Sequence, residues 1–228
     1  MTRAFVPWFL TLAAPPLRGG LWRVAALLAL WLGCASVQAQ PAPLQLQAQQ
    51  PAAGLWQALQ MLPDPEQRYT AQDLLQGGPA FGPMPPTQGT LGVRAEPVWL
   101  RIPLELAASA PGRWVLDIDY APLQRIDLVL ASGGRIVQQA ALGSHVPFAQ
   151  RPLPTRSHAV ELDLQPGVAY ELLLRVQTQG AMVLPLRLSP PAMHAEHALR
   201  EQMLQGLLTG LALCLWIYSL AQWINQRE

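Results

Sequence analysis

Lysine is absent from this chain: all fifteen basic residues are arginine. With 23 prolines beside them, that absence reads as compositional bias of the genome and not as a recognition device. A basic excess is lacking as well. The formal net charge is +1, and losing Arg3, Arg18 and Arg23 with the N-terminus would leave 12 arginines against 14 acidic residues, or −2, which argues against nucleic acid as a partner. Cysteine is scarce. Cys34 and Cys214 both fall in apolar runs, so the polar stretch between them can form no disulfide and has no thiol chemistry. Catalytic signatures are missing too: there is no Gly-x-Ser-x-Gly, no phosphate-binding loop, no His-Glu-x-x-His and no persuasive pair of acids for glycoside cleavage. The sequence therefore predicts neither an enzyme nor a cofactor or metal. Charged residues make up only 13% of the chain against 51% hydrophobic, a balance that points to association with a membrane.

Two segments account for that balance. Arg18 and Arg23 precede the apolar run from Val24 to Gly33, and Val37-Gln38-Ala39 is a small-residue exit of the kind signal peptidase accepts. Residues 1–39 are read as a signal peptide, with a retained anchor as the alternative, because the stretch before the arginines is itself long and apolar. Trp31-Leu32-Gly33-Cys34 is a weak lipoprotein box, and Cys34 reads better as a small buried hydrophobe. Residues 40–54, rich in Gln, Ala and Pro, are expected to be a poorly ordered tether.

The second segment closes the chain. From Ala192 to Trp223 a single helix is expected, with residues 190–202 juxtamembrane, 203–224 crossing the membrane and 225–228 at the cytoplasmic end. Met203 to Ile224 carries no formal charge over 22 residues, enough to span a bilayer at about 1.5 Å per residue. Gly206 and Gly210 stand at small-xxx-small spacing, with polar Gln205, Ser219 and Gln222 in the same span. Those positions predict packing against other helices.

Residues 55–189 hold the exported domain. Thr70-Ala71-Gln72-Asp73 offers a capping-box helix start with Asp in place of Glu. Gly77 to Gly92, with five Gly and four Pro, looks too broken for regular structure. Val98-Trp99-Leu100-Arg101-Ile102-Pro103-Leu104 then alternates with period two, and Pro103 suggests a sheet edge or a bulge. The alternation returns around Trp114, Ile126, His158, Leu172 and Leu186, with turns at Ser132-Gly133-Gly134 and Pro166-Gly167. Six to eight short strands without interleaved helices predict an all-β fold, an antiparallel β-sandwich.

Candidate ligand-binding residues follow from phase and placement. Trp99 and Trp114 are the aromatic faces on which a sugar ring could stack, against plain core or edge packing. Arg101, Arg175 and Arg187 share the outward phase of their strands, as do Asp117 and Asp119. They offer either an anion site or cross-strand ion pairs. Arg151 and Arg156 lie in the loop after Gly143-Ser144-His145, where a binding role and hydrogen bonding to loop carbonyls are both open. His194, His197 and Glu201 share one helical face and read as a solvated polar surface in preference to a metal site.

The order of these elements resembles a known arrangement. The resemblance is carried by Val98-Trp99-Leu100-Arg101, Trp114-x-Leu116, Leu123-x-x-Ile126-Asp127, Gly143, Pro147-Phe148, Arg151-Pro152, Arg156, Pro166-Gly167, Leu174-Arg175-Val176 and Leu184-Pro185-Leu186. Asp64-Pro65, Tyr69-Thr70 and Phe81-x-Pro83 stand ahead of them. Together they resemble the type 2 extracellular sensory domain of bacterial seven-transmembrane receptors with diverse intracellular signalling modules, over about Leu55 to Glu228. The resemblance implies a periplasmic jelly-roll similar to carbohydrate-binding modules. Such a domain senses a small molecule, a carbohydrate or a carboxylate, and signals through membrane helices of the same receptor, with the protein in the bacterial inner membrane. Only the first of those helices and no transmitter is present, so the chain reads as part of a longer receptor or a truncated frame. The rival reading is a membrane-anchored β-sandwich that docks another envelope protein.

Overall fold

The computed structural model describes residues 42–47, 55–87 and 89–226. The signal-peptide reading lies outside them. In chain order the strands are β1 (Leu44–Leu46), β2 (Gln60–Pro63), β3 (Gly82–Pro83), β4 (Thr90–Val93), β5 (Val98–Leu106), β6 (Arg113–Ile118), β7 (Arg125–Ser132), β8 (Arg135–Leu142), β9 (His158–Asp163), β10 (Ala169–Gln177), β11 (Ala181–Val183) and β12 (Leu186–Ser189). The helices are α1 (Leu55–Ala58), α2 (Ala71–Leu75) and α3 (Pro191–Asn225). A β-rich domain followed by one long apolar helix is what the alternation and the closing apolar run predict.

Seven strands form the larger sheet, in the order β3-β2-β5-β10-β7-β8 with β1 also on β5. A three-stranded sheet runs β12-β6-β9, and β11 pairs with β4. Leu100, Ile102 and Leu104 of β5, Leu172 and Leu174 of β10, and Leu128 and Leu130 of β7 share one buried cluster with Trp114, Leu116 and Ile118 of β6 and Val160 and Leu162 of β9. Alternate residues of these strands therefore enter one core, as period-two patterning requires. Trp114 is wholly buried there and donates its indole N–H to the Pro111 carbonyl at 2.8 Å, so it is core and not a stacking platform.

Three sequence expectations need correction. First, β5 is not an edge: it lies between β10 on one side and β2 and β1 on the other. On that second side β2 pairs with residues 98–101 and β1 with 104–106, so Pro103, which has no N–H to donate, falls in the gap between the two partners. Second, the expected tether contributes β1, which pairs parallel to β5 and buries Leu46 completely. Its Leu-Gln-Leu alternation outweighs the Gln/Ala/Pro composition around it, and Gln45 donates to Glu105 at 2.8 Å. Third, the Gly/Pro-rich stretch from Gly77 to Gly92 contains β3 and most of β4.

Other local readings hold. Thr70 caps α2 and the reciprocal capping box with Asp73 is formed, which holds the Asp73 carboxyl below its usual range through its bonds to the Thr70 hydroxyl and backbone N–H. Gly133 and Gly134 both adopt positive φ in the β7–β8 hairpin, the geometry of a type I′ turn.

Helix α3 is continuous over 35 residues, about 52 Å at 1.5 Å per residue. Among the described residues it is the one helix long and apolar enough to cross a membrane. Met203, Leu207, Leu211 and Ile217 along it are all exposed. About 30 Å of hydrocarbon needs roughly 20 residues, so α3 is longer than one crossing needs, and its start lies against β6, with His194 3.9 Å from Asp117.

Candidate functional site

The outer face of the seven-stranded sheet is not bare. A second, smaller cluster of Leu74, Trp99, Val129 and Leu173 lies there under α2 and the loops around it. Trp99 is therefore buried on the side away from the main core, at 3% exposure. What fixes it is Asp64, itself buried. One Asp64 carboxylate oxygen accepts the Trp99 indole N–H at 3.3 Å and the Tyr69 N–H at 3.4 Å, and the other accepts the Arg68 N–H at 2.9 Å. A carboxylate with this many donors is well satisfied inside a protein, and it pulls the 64–69 turn down onto the sheet.

Within that turn Gln67 is the one described residue other than glycine with positive φ, at 53°. Such a conformation is held only where the surroundings over-determine it, and it concentrates at functional sites. The Gln67 N–H donates to the Asp64 carbonyl at 3.1 Å, while the side-chain oxygen of Gln67 accepts from Arg175 at 3.0 Å. Arg175 also lies 3.7 Å from Asp127, whose carboxylate is already held by Arg125 at 2.9 and 3.2 Å. Two guanidinium groups thus share one carboxylate.

These side chains surround an open depression of about 550 Å³. Trp99, Val129 and Arg175 contribute from the sheet, Gln67, Tyr69 and Thr70 from the turn, and Gln139 from β8. Asp127 and Arg175 are the charged residues lining it. Because Arg125 already engages Asp127, the local excess is positive, and Arg175 offers its planar donors to an acceptor-rich ligand.

The other candidate arginines go elsewhere. Arg101 lies on the same face as Arg175 but pairs with Glu171 at 2.8 Å, under the Phe81 ring at 5.8 Å. Arg187 belongs to the three-stranded sheet, opposite Asp117 in register, so the three outward arginines do not converge. Arg151 donates to the Val146 carbonyl at 3.4 Å and stacks on exposed Phe148 at 5.5 Å. Arg156 bonds Asp119 at 3.3 Å and Glu201 at 3.4 Å, tying the domain to α3. The histidine face of α3 is solvated only in part: the side chains of His197 and Glu201 are 40% and 38% exposed, whereas His194 approaches the buried Asp117 at 3.9 Å. No group of three metal-ligating side chains occurs among the described residues. Gly206 and Gly210 have open space around them.

Of the residues around this depression, Trp99 and Arg175 are among the candidates the sequence offers, whereas Asp64, Gln67, Tyr69 and Asp127 are not. Asp64-Pro65 was visible as a motif, but nothing in a linear pattern shows that one carboxylate will collect donors from three residues.

No curated protein matches this chain. Among solved structures, the chain is similar to a β-glucuronidase from Ruminococcus gnavus at TM-score 0.36 and 11% identity, covering 65% of this chain and 30% of that one. It is similar to the same organism's β-glucuronidase in complex with D-glucuronic acid at TM-score 0.33 and 12% identity, covering 64% of this chain and 31% of that one. The chain thus spans about a third of those enzymes' length. A model of the family described as 7TMR-DISM extracellular 2 matches residues 57–190, which takes in every strand from β2 to β12. The chain belongs to that family of extracellular sensory domains, the non-enzymatic, periplasm-facing modules of bacterial seven-transmembrane signalling receptors.

Proposed function

We propose that this sensory domain takes a small anionic or polyhydroxylated ligand, a sugar acid or a related carboxylate, in the depression between the 64–70 turn and the outer face of the larger sheet. Arg175 is the anchor for the carboxylate, with Gln67 and Gln139 as amide partners and Tyr69 as aromatic surface, set over the buried Trp99. The observation that carries this reading is the Gln67–Arg175 contact. A residue with positive φ places its side chain on the arginine that lines this depression, where a glycine would relax the turn and leave Arg175 with Asp127 alone.

The finer architecture belongs to the same proposal. Alternate residues of both sheets meet in one core, which supports a jelly-roll sandwich similar to carbohydrate-binding modules, with residues 55–189 as the domain and 203–224 as the span. In a complete receptor the Gly206 and Gly210 face of α3 would pack against the other membrane helices. The test is titration of the full chain in detergent with neutral sugars and with their acid forms, following indole fluorescence. The acid forms are expected to saturate the signal. Arg175→Ala should weaken them about tenfold or more, as loss of a charge-assisted hydrogen bond implies. Saturation unchanged by Arg175→Ala would place the ligand elsewhere.

A further inference from the structure

The joint between the β domain and α3 is organised by Arg156. Its guanidinium reaches Asp119, just beyond the end of β6, and Glu201, ten residues into α3. His197 lies 3.0 Å from the other Glu201 oxygen, and His194 lies 3.9 Å from Asp117. Asp117 is 5% exposed and the Oδ1 of its carboxylate has no hydrogen-bonding partner, nor has Nε2 of His194. The helix is thus seated on β6 by groups that stand in opposition but are incompletely satisfied, and Arg156 is the residue that bridges both sides.

Arg156 is also the last residue but one of the fifteen-residue connection 143–157 between β8 and β9, which carries a short 3-10 turn at Phe148–Gln150. Its start is fixed. Gly143 has φ +117°, a Cβ there would come within 2.4 Å of the Gln124 carbonyl oxygen, and the next two N–H groups donate to Leu123 and Gln124 at 2.8 and 3.1 Å. The far end enters β9, where the His158 ring lies 3.2 Å from the Ala121 carbonyl. Between those anchors His145, Gln150 and Leu153 form one wall of a cavity of about 540 Å³, and Gln138, Ala140 and Glu161 of the two facing strands contribute to the other. The same segment therefore meets a cavity with its middle and the membrane helix with its end.

We propose that segment 143–157 carries a change in the β8–β9 cavity to the membrane helix, with Arg156 as the joint. The first turns of α3 are continuous with its membrane-crossing part, so a displacement imposed at Glu201 moves the whole rod. The side chains of the pair are 60% and 38% exposed. Exposed ion pairs are individually weak, which suits a contact that must shift between two arrangements. The proposal is independent of which face of the domain takes the ligand.

The test fills the cavity from inside and reads the helix. Nitroxide labels at Ser109→Cys, in the exposed β5–β6 turn, and Leu199→Cys, on the exposed side of α3, report the distance between domain and helix. The full chain, with Cys34 and Cys214 replaced by serine, is placed in lipid nanodiscs. Ala140→Phe is expected to shift the distance peak, and Gln150→Trp does the same from the loop side should the first variant fail to fold. Indole fluorescence melting identifies the folded ones. In an Arg156→Ala or a Glu201→Ala background the same filling substitution is expected to leave the peak where it was. A shift that persists undiminished without Arg156, or no shift from a folded cavity-filling variant, would overturn the proposal.

Discussion

Leu174 shows what a single residue contributes. It is fully buried, opposite Leu100 on one side and Leu128 on the other. An aspartate there would bury an unpaired carboxylate at a cost of several kcal/mol, against a total stability of roughly 5–15 kcal/mol. Leu174→Asp is accordingly expected to yield no cooperative melting transition, and wild-type melting would refute its place in the core. His158 makes a different demand. Burial pushes its imidazole below the ordinary 6.5, and the nearby Arg151 charge acts in the same direction, while the bond to Ala121 and the Asp117 charge oppose them. With Nε2–H donating to that carbonyl, Nδ1 faces no partner, so a second proton would be buried unpaired. The unfolded chain takes up a proton that the folded chain resists. This contribution is complete above about pH 6.5 and is lost progressively as the pH falls below it toward the folded value. Melting temperatures measured from pH 7.5 to 5 should fall, and His158→Gln should flatten that part of the decline. An unchanged slope would show that His158 is not its source.

At the level of elements, what the sequence made legible was whatever repeats. The period-two runs of β5, β6, β7 and β10 declared both their strands and their buried faces, and Thr70 to Asp73 declared the start of α2. Composition misled where a short pattern lay inside a biased stretch. Leu44-Gln45-Leu46 is only three residues in a Gln/Ala/Pro run, yet its burial depends on an edge of β5 left free by β2, which is a fact of tertiary structure. Leu46→Ala is therefore expected to cost about 2–5 kcal/mol, the range for a large-to-small change in a packed core, as read from denaturant midpoints. A cost near zero would return the segment to the role of a tether. The outward phase of Asp117 was correctly read, but its burial was not, because the start of α3, distant in sequence, packs on β6. Of the candidate site, Arg175 and Trp99 could be reached by phase. The turn that confronts them could not, since a left-handed Gln67 leaves no mark on residue spacing.

For the molecule as a whole, a β-rich sensory domain is joined without interruption to a membrane helix, and the joint is made of side chains that reach between them. A sensor of this kind must bind its ligand in the folded state and not in the unfolded one, so binding has to appear as stability. The most direct measurement is the melting of the full chain, in detergent, across a library of sugars, sugar acids and small carboxylates. A ligand held at 100 times its dissociation constant should add about 2.7 kcal/mol, and the added stability should grow with the logarithm of its concentration. Recognition of a carboxylate by Arg175 requires at least one such compound, carrying that group, whose effect disappears in Arg175→Ala. Concentration-dependent stabilisation by no member of the library, or stabilisation that survives the loss of Arg175, would contradict it.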